Sequence, residues 1–237
     1  MIDPTQTLVT IGTTIATTLA AKGIEAPGKT LGQIWDIAIG NRIAAVYEKS
    51  KAKHNLNVED FKSKLINNVS SIPKENIQDP KISIIGPVLE ASKYYFDEKE
   101  IRDMFANLIA SSLDSTYNGL VQHSFVEIIK QLSSQDAIFF KYLKDIKILN
   151  KLGNEYTFSS EDFPNPEPNI ISLNNLKRLG LIDIRYNYEV YDSTINLGTI
   201  RSTYLNRNNK LNTKTYVYCY ITEFGKTFKK VCIKDSI

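Results

Sequence analysis

Apolar residues return at three- and four-residue intervals along most of the first 145 positions, the spacing of one buried face on a helix. Leu31, Ile34, Trp35, Ala38, Ile39, Ile43 and Val46 predict a helix over 31–49, broadened by Ile37 and interrupted by Asp36, Asn41 and Arg42. Asn57, with Asp60 three residues on, reads as the cap of another, whose face is Phe61, Leu65 and Val69. Ser70 to Pro73 and Asp79-Pro80 punctuate a connection. Residues 81–96 then read as a helix with Pro87 near its start and Ile85, Val88, Leu89 and Phe96 on one side. Asp97 and Glu100 have the spacing of a cap and its partner, ahead of Ile101, Met104, Phe105, Leu108 and Ile109. Ser124 opens a further helix with Phe125, Ile128, Ile129 and Leu132 on one face. Ser133 and Asp136 form the next capping signal, before Ala137, Phe140 and Leu143.

Beyond residue 150 the pattern changes. Phe163 to Pro168 is a stiff, proline-rich stretch. Ile171 to Leu181 returns to helical spacing through Leu173, Leu176 and Leu179, with Gly180 as a stop. Residues 181–190 alternate loosely as a strand does, and residues 213–221, rich in Thr, Tyr and Val, read as a second strand, with the polar tip Asn206–Asn212 between them. A short helix from Gly225 carries Phe228, Val231 and Cys232. A helix followed by a two-stranded ribbon with a basic tip is a winged-helix-like pattern. The predicted fold is mainly α: a helical N-terminal and central region with a small C-terminal α+β winged-helix-like module. The expected division is 1–75, an N-terminal helical segment; 76–132, a central core; and 133–237, the C-terminal module.

Composition narrows the function. The chain has 237 residues, a formal charge of +3, 42% hydrophobic and 23% charged residues, so it is globular and is not a nucleic-acid-coating protein. Cys219 and Cys232 are too few for a disulfide scaffold and suit a reducing cytoplasm, which is the expected location. His54 and His123 are the only histidines; no metal and no other cofactor is expected. Thr5 to Ala21 is uncharged but diluted by threonines, so neither a secretory signal nor a membrane span is expected there. The expectation is a buried or oligomer-facing helix, with a membrane-surface contact through residues 5–46 as the weaker reading.

Three strings carry a resemblance. Ile85-Gly86-Pro87-Val88-Leu89-Glu90-Ala91 is followed by the run from Asp97 to Asp114, and the run from Ser124 to Ser133, which includes Phe125-Val126-Glu127-Ile128-Ile129, comes after it. Together they resemble the core of the Abi-alpha family, bacterial proteins assigned to abortive infection, a form of phage resistance. Asn175 to Ile182 and Ile221 to Phe228 extend the likeness. The family usually shows His-Pro-Ser-Phe where this chain has Gln122-His123-Ser124-Phe125, which favours a structural, helix-opening role for that motif. The resemblance implies a phage-defence protein and names no chemistry.

Candidate chemistry is sparse. Gly23-Ile24-Glu25-Ala26-Pro27-Gly28-Lys29-Thr30 spells a phosphate-binding loop. Its setting is poor: no buried strand precedes it, and Pro27 removes an amide the cradle would use. The spelling is read as chance. Asp97, Glu98, Glu100 and Asp103 read as helix-start chemistry, and Glu161-Asp162 lacks a catalytic companion. Cys219 and Cys232 read as packing residues. From Pro168 onward Lys and Arg outnumber Asp and Glu by 11 to 5, a modest basic footprint. Lys177 and Arg178 fall on the would-be recognition helix. Arg201, Arg207, Lys210 and Lys214 flank the would-be wing, interleaved with Tyr186, Tyr188, Tyr204 and Tyr216. The expected function is therefore non-enzymatic phage defence through a protein partner or self-association, without a small-molecule substrate. Nucleic-acid binding through the C-terminal module is the alternative, and membrane association ranks behind it.

Overall fold

Eleven of the fourteen residues of helix α5 (Lys99–Ser112) are buried, so this helix has scarcely any solvent face and the other elements are arranged around it. The computed structural model describes residues 4–35, 51–143, 146–152, 155–157, 170–191 and 212–233. Helices α3 (Lys51–Ser70), α4 (Ile82–Ser92), α6 (Ser124–Gln131), α7 (Ser134–Tyr142) and α9 (Glu223–Cys232) all pack on α5. Helices α1 (Pro4–Ala21) and α2 (Glu25–Trp35) pack on each other and reach the rest through α3 and α4. The turn between them needs a left-handed residue, which is Gly23 at φ 81°. Ile15 and Leu19 of α1 are buried. No helix among the described residues is long and apolar enough to cross a membrane.

Aromatic contacts join the helices of the core. Trp35 stacks on Phe61 with ring centroids 5.7 Å apart, and Phe61 meets Phe96 at 5.3 Å, joining α2, α3 and the approach to α5. Phe228 of α9 sits edge-on to Phe125 at 5.2 Å and lies 6.1 Å from Phe140, joining α9 to α6 and α7. The last helix is thus part of the central core.

Several buried polar side chains of α5 bond to its neighbours, although the Arg102 Nε has no partner among the described residues. Arg102, 4% exposed, donates to the carbonyl of Phe96 and to the Asp60 carboxylate of α3. The Asn107 amide donates to the carbonyl of Cys232 at 2.9 Å and its oxygen accepts from Asn68 at 2.7 Å. The Ser111 hydroxyl donates to the carbonyl of Val231 at 2.9 Å. The last carbonyls of α9, left over by the helix itself, thereby find donors on α5.

Among the described residues, four strands form one antiparallel sheet in the order β2-β1-β4-β3. They are β1 (Ile146–Leu152), β2 (Glu155–Thr157), β3 (Ile182–Tyr191) and β4 (Asn212–Ile221). Helix α8 (Ile170–Arg178) leads into β3. Gly180 at φ 73° ends it, with the Leu181 amide donating back to the Leu176 carbonyl at 3.0 Å. Thr222 caps α9 by accepting from the Gly225 amide at 2.9 Å, while its hydroxyl donates to the Gly180 carbonyl at 2.6 Å. Gly225 must be glycine here: a Cβ would lie 2.0 Å from the Leu181 carbonyl oxygen.

The chain is mainly α with a small antiparallel sheet towards its C-terminus, as its pattern predicts. Several details differ. The sheet has β1 and β2 beside the expected ribbon. Helix α3 already runs from Lys51, so Asn57 lies inside it and its side-chain amide donates to Asp97 at 2.6 Å. With Asp97 so occupied, Glu98 is the residue before α5, and its side chain makes no capping bond. Pro87 lies at the sixth position of α4, not its first turn, at an exposed position. The Ser133–Asp136 capping box is formed as expected. Residues 36–49 of the helix expected at 31–49, the proline-rich stretch and the polar tip up to residue 211 lie outside the described residues.

Asn107→Leu is expected to lower the unfolding free energy by about 2–4 kcal/mol, because it orphans both the Asn68 amide and the Cys232 carbonyl. Gly225→Ala should cost at least about 1–3 kcal/mol through overpacking. Urea denaturation followed by circular dichroism measures both.

Candidate functional site

Helix α8 is the element on which any reading of nucleic acid depends. Leu173, Leu176 and Ser172 are buried, and the helix packs on α7. Ile171, Asn174, Lys177 and Arg178 are exposed. Arg178 is nonetheless committed. Its Nη1 donates to Gln131 Oε1 at 2.8 Å and its Nη2 to Asn175 Oδ1 at 2.7 Å. Asn175 in turn donates to the buried carboxylate of Asp136 at 2.8 Å and to the Gln131 carbonyl at 3.0 Å. This network fastens α8 to the turn between α6 and α7. Lys177 makes no ion pair among the described residues.

Of the remaining predicted basic positions, Lys214 alone falls among the described residues. Lys214 falls on β4, opposite Glu189 of β3 in the register. Arg201, Arg207, Lys210 and Tyr204 lie outside the described residues. Tyr186 and Tyr188 are on β3 and Tyr216 is on β4, where Tyr186 opposes Val217 and Tyr216 opposes Asn187. At the root of the hairpin, Tyr220 donates to Asp183 at 2.7 Å and Arg185 lies over the Tyr220 ring at 4.7 Å. Arg185 is not among the sequence-predicted candidates; its place five residues after the helix stop at Gly180 was the available signal.

An open groove of about 560 Å³ runs beside the start of α8, lined by Gln131, Leu132, Ser133, Asp136, Ile171 and Asn175 among others. Ile171 is 72% exposed at its edge. Glu98 closes one side and accepts from Ser134 at 3.2 Å. Such a groove offers a few polar groups and an unpartnered aliphatic side chain.

Other motifs take structural places. Gly28, Lys29 and Thr30 lie within α2, which follows a helix and not a strand. The Thr30 hydroxyl donates to the Ala26 carbonyl at 3.1 Å, and a Cβ on Gly28 would lie 2.8 Å from that of Leu19. Those glycine contacts serve close packing of α1 on α2. His123 stands just before α6 with Nε2 3.1 Å from the Ser83 hydroxyl, and Gln122 donates to the Gly119 carbonyl. Asp103 is held by Lys99 at 2.9 Å and Lys64 at 3.7 Å. Glu161-Asp162 and the side chain of His54 lie outside the described residues. Among the described residues no group of three His, Cys, Asp or Glu is placed to hold a metal. Both cysteines are buried and free.

The arrangement defines a helical core with a sheet-bearing appendage. The family model described as abortive infection alpha matches residues 53–232, a span that starts within α3 and closes on the final residue of α9. The chain belongs to that family, which ties it to the phage-resistance response the family is named for. No curated protein and no solved structure matches the chain.

Burial pushes the Cys219 thiol up to about 12, with Asp183 adding to the effect, and burial alone raises Cys232. Thiolate is therefore scarce at pH 8, and a disulfide reagent should label neither cysteine until the protein unfolds. Because the folded state holds these protons more tightly than the unfolded chain, the stability they confer is complete below about pH 9 and falls as pH rises towards about 12. Urea midpoints measured from pH 8 to 11 should decline.

Proposed function

We propose that this protein acts in phage defence by binding a protein partner and not by catalysis. The observation that carries the reading is the contrast on α8. Its arginine is spent on Asn175 and Gln131, whereas its aliphatic Ile171 stands unpaired at the edge of an open groove. A few side chains that become fully desolvated supply most of the energy of protein interfaces, while nucleic-acid affinity is supplied largely by free cations on phosphate. The titratable groups described here are largely used in caps, ion pairs and helix-to-helix bonds, which also favours a scaffold over a reaction centre.

One observation favours a second reading. The strand order β1-β4-β3, with α8 leading into the hairpin, supports a winged-helix reading, in which the helix before the wing would enter a groove of the duplex. On that reading Lys177 is the described cation best placed for phosphate, and Lys214 and the wing arginines add to it.

Two substitutions separate the readings. Ile171→Asp is expected to reduce protection of bacteria against phage by about tenfold or more, as loss of an interface anchor does, with the purified protein still folded. Lys177→Glu should leave protection intact. Loss of protection by Lys177→Glu together with a salt-dependent gel shift of the wild type would reverse the order of the two readings.

A further inference from the structure

A separate recess of about 160 Å³ lies where α3, α5, α7 and the last turn of α9 meet. It shares no lining residue with the groove beside α8. Three lysines from three helices line it: Lys64 of α3, Lys99 of α5 and Lys141 of α7. A run of charge on one helix is ordinary surface; cations brought together from positions this far apart in sequence are a product of the fold. Asp103 accepts from Lys99 at 2.9 Å and lies 3.7 Å from Lys64, so one carboxylate serves two ammonium groups. That hydrogen bond holds Lys99 above the ordinary lysine range, and it stays charged at neutral pH. Lys141 makes no ion pair among the described residues; its Nζ lies 5.7 Å from the centroid of the Tyr142 ring. Glu100 is the other acid on the wall, so the cations remain in excess.

Apolar side chains stand among the lysines. Met104, Ile138 and Ile233 also line the recess, and Tyr142, half exposed, adds an aromatic face. A ligand suited to this mixed lining carries concentrated negative charge at one end and a compact apolar body at the other. Lysine is a point-charge partner for phosphate, and a phosphomonoester presents three acceptor oxygens and nearly two negative charges. A carboxylate would duplicate what Asp103 already supplies. The volume is below the roughly 300–1,000 Å³ of drug-sized sites, which limits the body to about one ring. The lysines that Asp103 holds are oriented before the ligand arrives, which lowers the ordering cost of binding.

We propose that this recess binds a small organic phosphate, a phosphomonoester on a compact apolar or aromatic body, through Lys64, Lys99 and Lys141. The bound ligand bridges α3, α5 and α7 beside the docked end of α9, so it stabilises the union of the C-terminal helix with the core.

Phenyl phosphate is the probe. Calorimetric titration into the full chain should show saturable binding at one site, and thermal denaturation should show a midpoint that rises with ligand concentration. Lys141→Gln and Lys64→Gln should each weaken binding by about tenfold while leaving the midpoint of the unliganded protein in place. Lys226→Gln, on the exposed face of α9, should bind as the wild type does. Benzoate should bind more weakly than phenyl phosphate. The proposal is overturned if phenyl phosphate gives no saturable signal up to about 10 mM, if Lys141→Gln binds it as the wild type does, or if benzoate binds equally well.

Discussion

Helix α5 is surrounded on nearly every side, and Arg102, Asn107 and Ser111, which go with it into the interior, bond to partners on other elements there. An unpaired buried group costs about 1–3 kcal/mol, so this requirement selects neighbours as firmly as apolar packing does. Arg102 fixes α3 through Asp60, Asn107 fixes both α3 and the end of α9, and Ser111 fixes α9 again. The apolar residues between them supply the energy of burial but would accept several registers. The polar ones accept one.

That logic extends outward. The α6–α7 turn is organised by the Ser133–Asp136 capping box, and the same Asp136 carboxylate receives Asn175 of α8. Gly180, Leu181, Thr222 and Gly225 then tie the exit of α8, the base of the hairpin and the start of α9 at one point. A ligand or partner that disturbed α8 would therefore act on groups bonded directly to the central helices. The groove at Ile171 and the recess of three lysines both border α7, one near its start and one near its end.

Much of this architecture is written in local spacing. The faces of α3, α4, α5 and α6, the capping box, the stop at Gly180 and the two long strands each follow from residues within one or two turns of one another. What the sequence conceals is pairing over distance. Arg102, Asn107 and Ser111 have the look of a solvent face, because the carbonyls and carboxylate that bury them come from other helices. Lys64, Lys99 and Lys141 are unremarkable until the fold assembles them. Arg178 is easily read as a free cation when its partners, Asn175 and Gln131, are not known to be adjacent. Strand β1 did leave a trace: Ile146 and Ile148 alternate with Lys147, and the Gly153-Asn154 dipeptide stands between residues that the register opposes, Leu152 and Glu155. The family likeness rests on these local strings, which is why it is legible while the mode of action is not.

The bond from Asn107 to the Cys232 carbonyl spans 125 positions. At a ribosomal pace of about 5–20 residues per second, the central helix emerges well before the helix that completes its surroundings. For many seconds the Asn107 amide N–H and the Ser111 hydroxyl have no α9 carbonyl to bond, and the apolar groove awaiting Phe228 stands open. A nascent chain halted in that interval cannot close its interior, so the molecule reaches its working form only after translation has passed almost the whole of this sequence.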